Sequence, residues 1–167
     1  MMHFETDRLV MSKISNDDAE NLVTVLSDPD VMKYSTVGVH TEKQILAYIA
    51  NCQQQYLANG YGHWAVYRKE DNAFVGVCGL NNHQVDNEDV FHINYRLASE
   101  HQGKGYAVES TLGVLAFAKK TLKLKSVHAL IESDNVSSVK VVNRTGFTFA
   151  KATVFRGFNV DVYQVTL

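Results

Sequence analysis

The chain has 167 residues, 46% hydrophobic and 20% charged, a balance that fits one globular domain over residues 1–167 and excludes a disordered tail. Lys and Arg number 16 against 18 Asp and Glu, a net charge of −2 that argues against a nucleic-acid-coating surface. The longest apolar run, Ala73 to Leu80, falls far short of the roughly 20 residues a membrane helix needs.

Met1 to Arg8 carries charge and lacks the pattern of a signal peptide. Arg8 to Lys13 reads as a first strand. Asn16 opens a helix with Asp17, Asp18 and Glu20 in its first turn, where acids suit the helix dipole. Leu22, Val25 and Leu26 give that helix an apolar stripe. The only proline, Pro29, marks a turn, and Val31 to Tyr34 reads as a short helical piece. Thr41-Glu42-Lys43-Gln44 is a capping box, and Asn59-Gly60 ends the helix it starts. Ile45, Tyr48, Ile49 and Tyr56 face inward on it.

Gly62 to Arg68, Phe74 to Asn82 and Glu88 to Leu97 read as three strands joined by the polar turns Lys69 to Asn72 and Gln84 to Asn87, an antiparallel meander. Gly103 to Lys120 reads as a helix with Ala107, Val108, Leu112, Leu115 and Ala116 inward. Ser126 to Glu132 is strand-like, and Val136 to Asn143 is a short helix stopped at Thr145-Gly146. Phe147 to Ala150 and Asp161 to Leu167 complete the sheet. The order β-α-α-β-β-β-α-β-α-β-β gives an α/β domain, one mixed and mostly antiparallel sheet flanked by helices. Cys52 and Cys78 fit no metal spacing and read as buried free thiols; with no signal peptide, they favour the cytoplasm. No cluster of His, Asp or Glu has metal-ligand spacing.

The segment from Leu97 to Ala107 carries the first chemical signal. A strand ends, a turn follows, and Gly103-Lys104-Gly105 enters a helix. Helix starts present unpaired N–H groups and the positive end of the dipole, which suit a phosphate. Plain turn chemistry explains the same glycines. The segment is no P-loop and no dinucleotide fingerprint, because neither glycine pattern is complete.

Gln102-x-x-Gly105-x-Ala107 resembles the pyrophosphate loop of the GNAT superfamily of acyl-CoA N-acyltransferases. Further segments resemble the branch that holds the ribosomal-protein N-terminal acetyltransferases (the Rim type). They are Glu5-Thr6-Asp7-Arg8-Leu9, Ser27 to Val31, His92 to Leu97, Gly103 to Glu109, Asn135-x-x-Ser138 and Asn143 to Phe147, in order along nearly the whole chain. The resemblance implies a sheet splayed between its central strands and acetyl-CoA, or coenzyme A, as the acyl donor. It implies that Gln102, Gly103, Lys104, Gly105, Tyr106, Ala107 and Val108 hold the pyrophosphate, and that Tyr95 and Leu97 border the pantetheine arm. Asn135 would bond that arm or cap its helix, and the two roles can coexist. Lys140 or Arg144 would reach the ribose phosphate, or simply form a solvated face.

For the chemistry the resemblance implies Ser138 beside the leaving thiolate, against the alternative of a polar serine on a helix surface. His92 takes the slot where relatives carry Glu in a Glu-Ile-Gly-Tyr-like segment. It is a candidate general base, since imidazole titrates near neutrality. A structural histidine pairing with the neighbouring strand is the other reading, and some relatives use only a water chain. Asn94 replaces the usual Gly. His63 and Glu132 are weaker candidate bases. Tyr34, Tyr61, Trp64 and Phe155 read as core; Tyr34 and the loop through His40 also lie where the resemblance places an acceptor pocket, the alternative to plain packing.

The implied activity is transfer of an acetyl group to a primary amine, on a protein N-terminus or a small molecule. Transfer is direct, because no cysteine matches a family acyl-enzyme position. A non-catalytic acyl-CoA-binding module is the alternative. The expected partners are an amine acceptor, no nucleic acid and no membrane, in a monomer or homodimer.

Overall fold

A computed structural model describes residues 2–167. Eight strands form one sheet: β1 (Met2–Glu5), β2 (Leu9–Lys13), β3 (His63–Arg68), β4 (Phe74–Val85), β5 (Glu88–Leu97), β6 (Ser126–Ile131), β7 (Thr148–Phe155) and β8 (Phe158–Thr166). Four helices complete it: α1 (Ala19–Leu26), α2 (Glu42–Asn59), α3 (Tyr106–Lys120) and α4 (Val136–Arg144). The strand order is β1-β2-β3-β4-β5-β6-β8-β7. Every pairing is antiparallel except that of β5 with β6.

That exception positions the site. β5 pairs with β4 along its whole length, from Gly76↔Leu97 to Val85↔Glu88. β5 and β6 meet only at His92↔His128. Beyond that point the two parallel strands diverge, so the edge of β5 from Ile93 to Leu97 has no strand partner on its β6 side. The expected splay is present.

Successive residues of β5 point to opposite faces. Tyr95 bonds to α4, while the charge of Arg96 acts on Tyr48 of α2. Thus α3 and α4 cover one face and α1 and α2 the other. The core between these layers centres on Leu9, Met11, Trp64, Val66, Val75, Val77 and Leu80, all fully buried. Cys52 and Cys78 are buried free thiols, as expected. Among the described residues no helix is long and apolar enough to cross a membrane.

The capping box at Thr41 and Gln44 forms as read, with Gly60 left-handed at the other end of α2. Several expectations need correction. Val31 to Tyr34 is a hydrogen-bonded turn and not a helix, because the bonds from Met32 N–H to Asp28 and Ser35 N–H to Met32 do not propagate. Asn16 does open the first turn, capped by Ser15 in a box with Asp18, but that turn is a 3-10 turn and the α-helix proper starts at Ala19. The third helix begins at Tyr106, since Gly103 and Gly105 hold left-handed φ of 77° and 82° that no helix residue adopts. Leu112 and Ala116 lie on its exposed side; Ser110, Thr111, Val114, Phe117 and Ala118 take the buried one with Leu115. The β4–β5 turn is tighter than expected, reduced to Asp86 and Asn87 with positive φ. β1 was not anticipated, and the last two strands extend into a hairpin that turns at Arg156-Gly157.

Candidate active site in the splayed sheet

A cavity of about 810 Å³ runs through the gap between β5 and β6. It connects the start of α3, the start of α4 and the face covered by α2. Tyr95, Leu97, Gln102, Gly103, Gly105, Tyr106, Ala107, Val108, Asn135, Ser138 and Lys140 line it, and so do His63, His92, Glu132 and Arg144. Lys104 does not; its carbonyl instead accepts a bond from Arg8 Nη1 at 3.1 Å.

The loop before α3 has the form an anion cradle requires. No side chain caps α3, and its first helical bond runs from Glu109 N–H to the Gly105 carbonyl at 3.0 Å. The N–H groups of Tyr106, Ala107 and Val108 therefore have no partner within the helix. A Cβ on Gly103 would meet nothing within 4 Å, whereas one on Gly105 would lie 3.3 Å from the Arg8 guanidinium. Gln102 folds back, and its Nε2 donates to the Leu97 carbonyl at 3.1 Å.

This loop is braced from the other end of the chain. Arg8 Nε donates to Glu109 Oε1 at 2.6 Å, and Thr6 Oγ1 donates to Oε2 at 2.6 Å. The Arg8 guanidinium also lies 4.5 Å from the centre of the Tyr106 ring. Burial pushes the Glu109 carboxyl up, but the bonds from Thr6 and Arg8 outweigh it and hold the group below its ordinary range. Both residues lay in segments of the family resemblance, yet no role was expected of either.

At the start of α4, Asn135 Oδ1 accepts from Ser138 N–H at 3.4 Å and from Ser137 Oγ at 3.3 Å, so the capping role is present. Ser138 is half-buried, and its carbonyl accepts from Tyr95 Oη at 2.9 Å. That bond ties the diverging strand to the helix across the gap. Tyr34, on the Pro29 turn, donates to the Asp134 carbonyl at 3.1 Å and closes the same region from above.

On the opposite face of β5 lies a polar cluster of histidines flanked by arginines. His92 is 8% exposed, and its Nε2 lies 2.7 Å from Nδ1 of His83 on β4. This is the pairing with a neighbouring strand that was the alternative reading of His92. Arg156 donates to the far nitrogen of His83 at 2.9 Å. Burial, then the charges of His83, His63 and Arg156, lower the His92 pKa to about 3. Burial and Arg96 lower that of His63 to about 4. His63 is held between Tyr48 Oη at 2.7 Å and Asn81 Oδ1 at 2.9 Å. Trp64 is core, as expected, but Phe155 lines the cavity and packs against His83 and His92. His83, Asn81 and Arg96 carry no role in the sequence reading, although polar side chains recurring at alternate positions of β4 and β5 are an available signal; Tyr48 is read there only as an inward position of α2.

Residues 8–148 match the acetyltransferase (GNAT) domain family. The chain is 29% identical over 170 residues to the uncharacterized N-acetyltransferase p20 of Bacillus licheniformis, covering 97% of this chain and 93% of that protein. A GNAT-family acetyltransferase structure from Bacillus anthracis superposes with a TM-score of 0.84 at 24% identity, covering 99% of this chain and 98% of that one. RimL, the ribosomal L7/L12 alpha-N-protein acetyltransferase, solved in complex with coenzyme A, superposes with a TM-score of 0.80 at 16% identity, covering 100% of this chain and 98% of that one.

Proposed function

The chain belongs to the GNAT acetyltransferase family, and on that premise we propose that it moves an acetyl group from acetyl-CoA to a primary amine by direct transfer. The observation that carries this reading is the gap between β5 and β6, with an uncapped glycine-entered helix at one rim and Ser138 at the other. The residues present fit the donor. Gly103 leaves open the space a Cβ would fill, and the orphan N–H groups of Tyr106, Ala107 and Val108 suit its pyrophosphate. The unpartnered edge of β5 from Ile93 to Leu97 suits its extended amide arm, in the manner of an added strand. Lys140 and Arg144 line the same cavity and suit the ribose phosphate. When bound, acetyl-CoA supplies an activated thioester whose sulfur departs as a thiolate.

The chain's own groups then have distinct tasks. Ser138 Oγ is the hydrogen-bond donor for the departing sulfur; a serine hydroxyl is too weak an acid to give up its proton outright. Tyr95 is a positioning residue, since its bond to the Ser138 carbonyl holds α4 at the gap. His92 is neutral at pH 7 and binds a proton weakly. It suits passing a proton along its pair with His83 better than storing one, so water in the cavity is the final acceptor. The two buried thiols support a reducing compartment, the cytoplasm.

The test is a panel of primary amines, protein N-terminal peptides included, assayed for coenzyme A release. Turnover of any amine supports the reading. Binding of acetyl-CoA without turnover of any amine overturns it in favour of a binding module.

A further inference from the structure

Arg96 lies on β5 between Tyr95 and Leu97, on the face that carries the histidine cluster. It lines the cavity. Among the described residues no carboxylate pairs with it, and its only side-chain bond runs from Nη1 to Asn94 Oδ1 at 3.2 Å. A half-buried guanidinium with five donors and one neutral partner is costly to keep unless something else pairs with it.

Its surroundings are all neutral or positive. Tyr48, His40 and His63 lie within its field. Arg156 stands at the far end of the cluster, bonded to His83. Nδ1 of His40, which lines the same cavity, is buried without a hydrogen-bond partner. The two carboxylates that line the cavity, Asp30 and Glu132, belong to the Pro29 turn and the end of β6, and neither pairs with Arg96. A cationic acceptor such as a diamine finds no counter-charge on this face. An anionic one finds a guanidinium with four free donors.

We propose that the acceptor carries an anionic group, a carboxylate or a phosphate, besides the amine that is acetylated, and that Arg96 binds that group. The proposal rests on the transferase reading above. With no carboxylate among the described residues paired to Arg96 or set in the histidine cluster, this face disfavours the ammonium form of the acceptor, and the amine attacks in its neutral form. An anion seated on Arg96 would pair with its planar fork in two parallel bonds, which orients the amine as well as holding it.

The experiment uses four amines of matched length: β-alanine, 2-aminoethylphosphonate, β-alaninamide and 1,3-diaminopropane. Each is assayed for acetylation and, separately, for the rise in Tm it produces with coenzyme A present. The two anionic amines should exceed the amide and the diamine in kcat/KM by about tenfold to a hundredfold, the usual weight of a hydrogen bond to a charged group. The better of the two identifies carboxylate or phosphate. Arg96→Gln should erase the preference by raising KM for the anionic amines alone, and Arg96→Lys should restore part of it. A Tm rise confined to the anionic probes and lost in Arg96→Gln supports anion binding at Arg96 even if none of the four is acetylated; the transferase reading fails only if the wider amine panel is not turned over either. Equal or better use of the diamine overturns the proposal while sparing that reading. So does the absence of any anion-specific effect in either assay.

Discussion

Arg8 and Glu109 are 101 residues apart in the chain, yet Arg8 Nε sits 2.6 Å from Glu109 Oε1 and the Arg8 N–H donates to Oε2 at 2.8 Å. The same guanidinium bonds the Lys104 carbonyl and covers the Tyr106 ring. The loop that enters α3 is thus fixed by the segment between β1 and β2. A loop that must present three backbone donors in one direction gains from such a brace, because ordering it beforehand removes that entropy from the binding step.

Arg8→Ala should therefore loosen the donor site more than the fold. The Arg8 side chain is 48% exposed, so its ion pair contributes only about 0–1 kcal/mol to stability. Tm should move little. KM for acetyl-CoA should rise about threefold to tenfold with kcat nearly unchanged, the pattern of lost uniform binding. An unaltered KM would show that the loop holds its form without the brace.

Gly105 separates strain from charge at the same loop. Its φ of 82° costs any L side chain roughly 1–2 kcal/mol, so Gly105→Ala and Gly105→Glu should lose similar Tm. Only Glu adds a like charge beside a phosphate. Calorimetry should find acetyl-CoA affinity within a few-fold of normal for Gly105→Ala and reduced about a hundredfold or more for Gly105→Glu. Equal affinities for the two variants would remove the phosphates from this loop.

Ser138 and Tyr95 separate a transition-state contact from a positioning one. Ser138→Ala should lower kcat about tenfold while acetyl-CoA affinity stays within twofold, since a bond to the departing thiolate strengthens as charge develops. Tyr95→Phe keeps the ring and loses the bond to the Ser138 carbonyl, worth about 0.5–1.5 kcal/mol. It should lower both Tm and kcat, and the kcat loss should be smaller in the Ser138→Ala background than alone. Strict additivity would deny that Tyr95 acts through α4.

Local features were legible in the sequence. The Thr41–Gln44 box and Gly60 bound α2 because each involves neighbours in the chain. The glycines before α3 and Asn135 before α4 were legible for the same reason. What stayed hidden depends on register or long range. β7 is legible only over Phe147 to Ala150; the strand is exposed over most of its length, so no apolar alternation carries the reading on to Phe155. His83 and His92 are brought together by a ladder that only the tight turn at Asp86-Asn87 aligns. Arg96 looks like an ordinary strand arginine until the two faces of β5 are assigned. The Arg8–Glu109 brace needs β1 and β2 packed beside α3, which no window of sequence contains.

The pH response of the protein tests His92 in two independent ways. Burial, then the charges of His83, His63 and Arg156, hold its pKa at about 3 in the folded chain, against roughly 6.5 unfolded. Between those values the unfolded chain binds more protons. Stability is therefore fully present above about pH 6.5 and is lost as pH falls toward 3. His63, lowered to about 4, acts in the same direction. His92→Gln removes one such group, so the fall in unfolding free energy from pH 7 to pH 4 should be shallower than in the wild type, on the order of a few kcal/mol less at the acid end. Activity gives the second readout. A base that held the proton would impose a limb between about pH 6 and 7.5. A histidine whose pKa lies near 3 imposes none there, so wild-type kcat/KM above pH 5 should follow the ionisation of the acceptor amine. As a relay, His92 should still matter: His92→Gln should lower kcat about threefold to thirtyfold at every pH in that range, with acetyl-CoA affinity unchanged. A wild-type limb near pH 7 that disappears in His92→Gln would instead make His92 the base itself. A folded variant with wild-type kcat and a flattened stability profile would leave it a structural partner of His83 and nothing more.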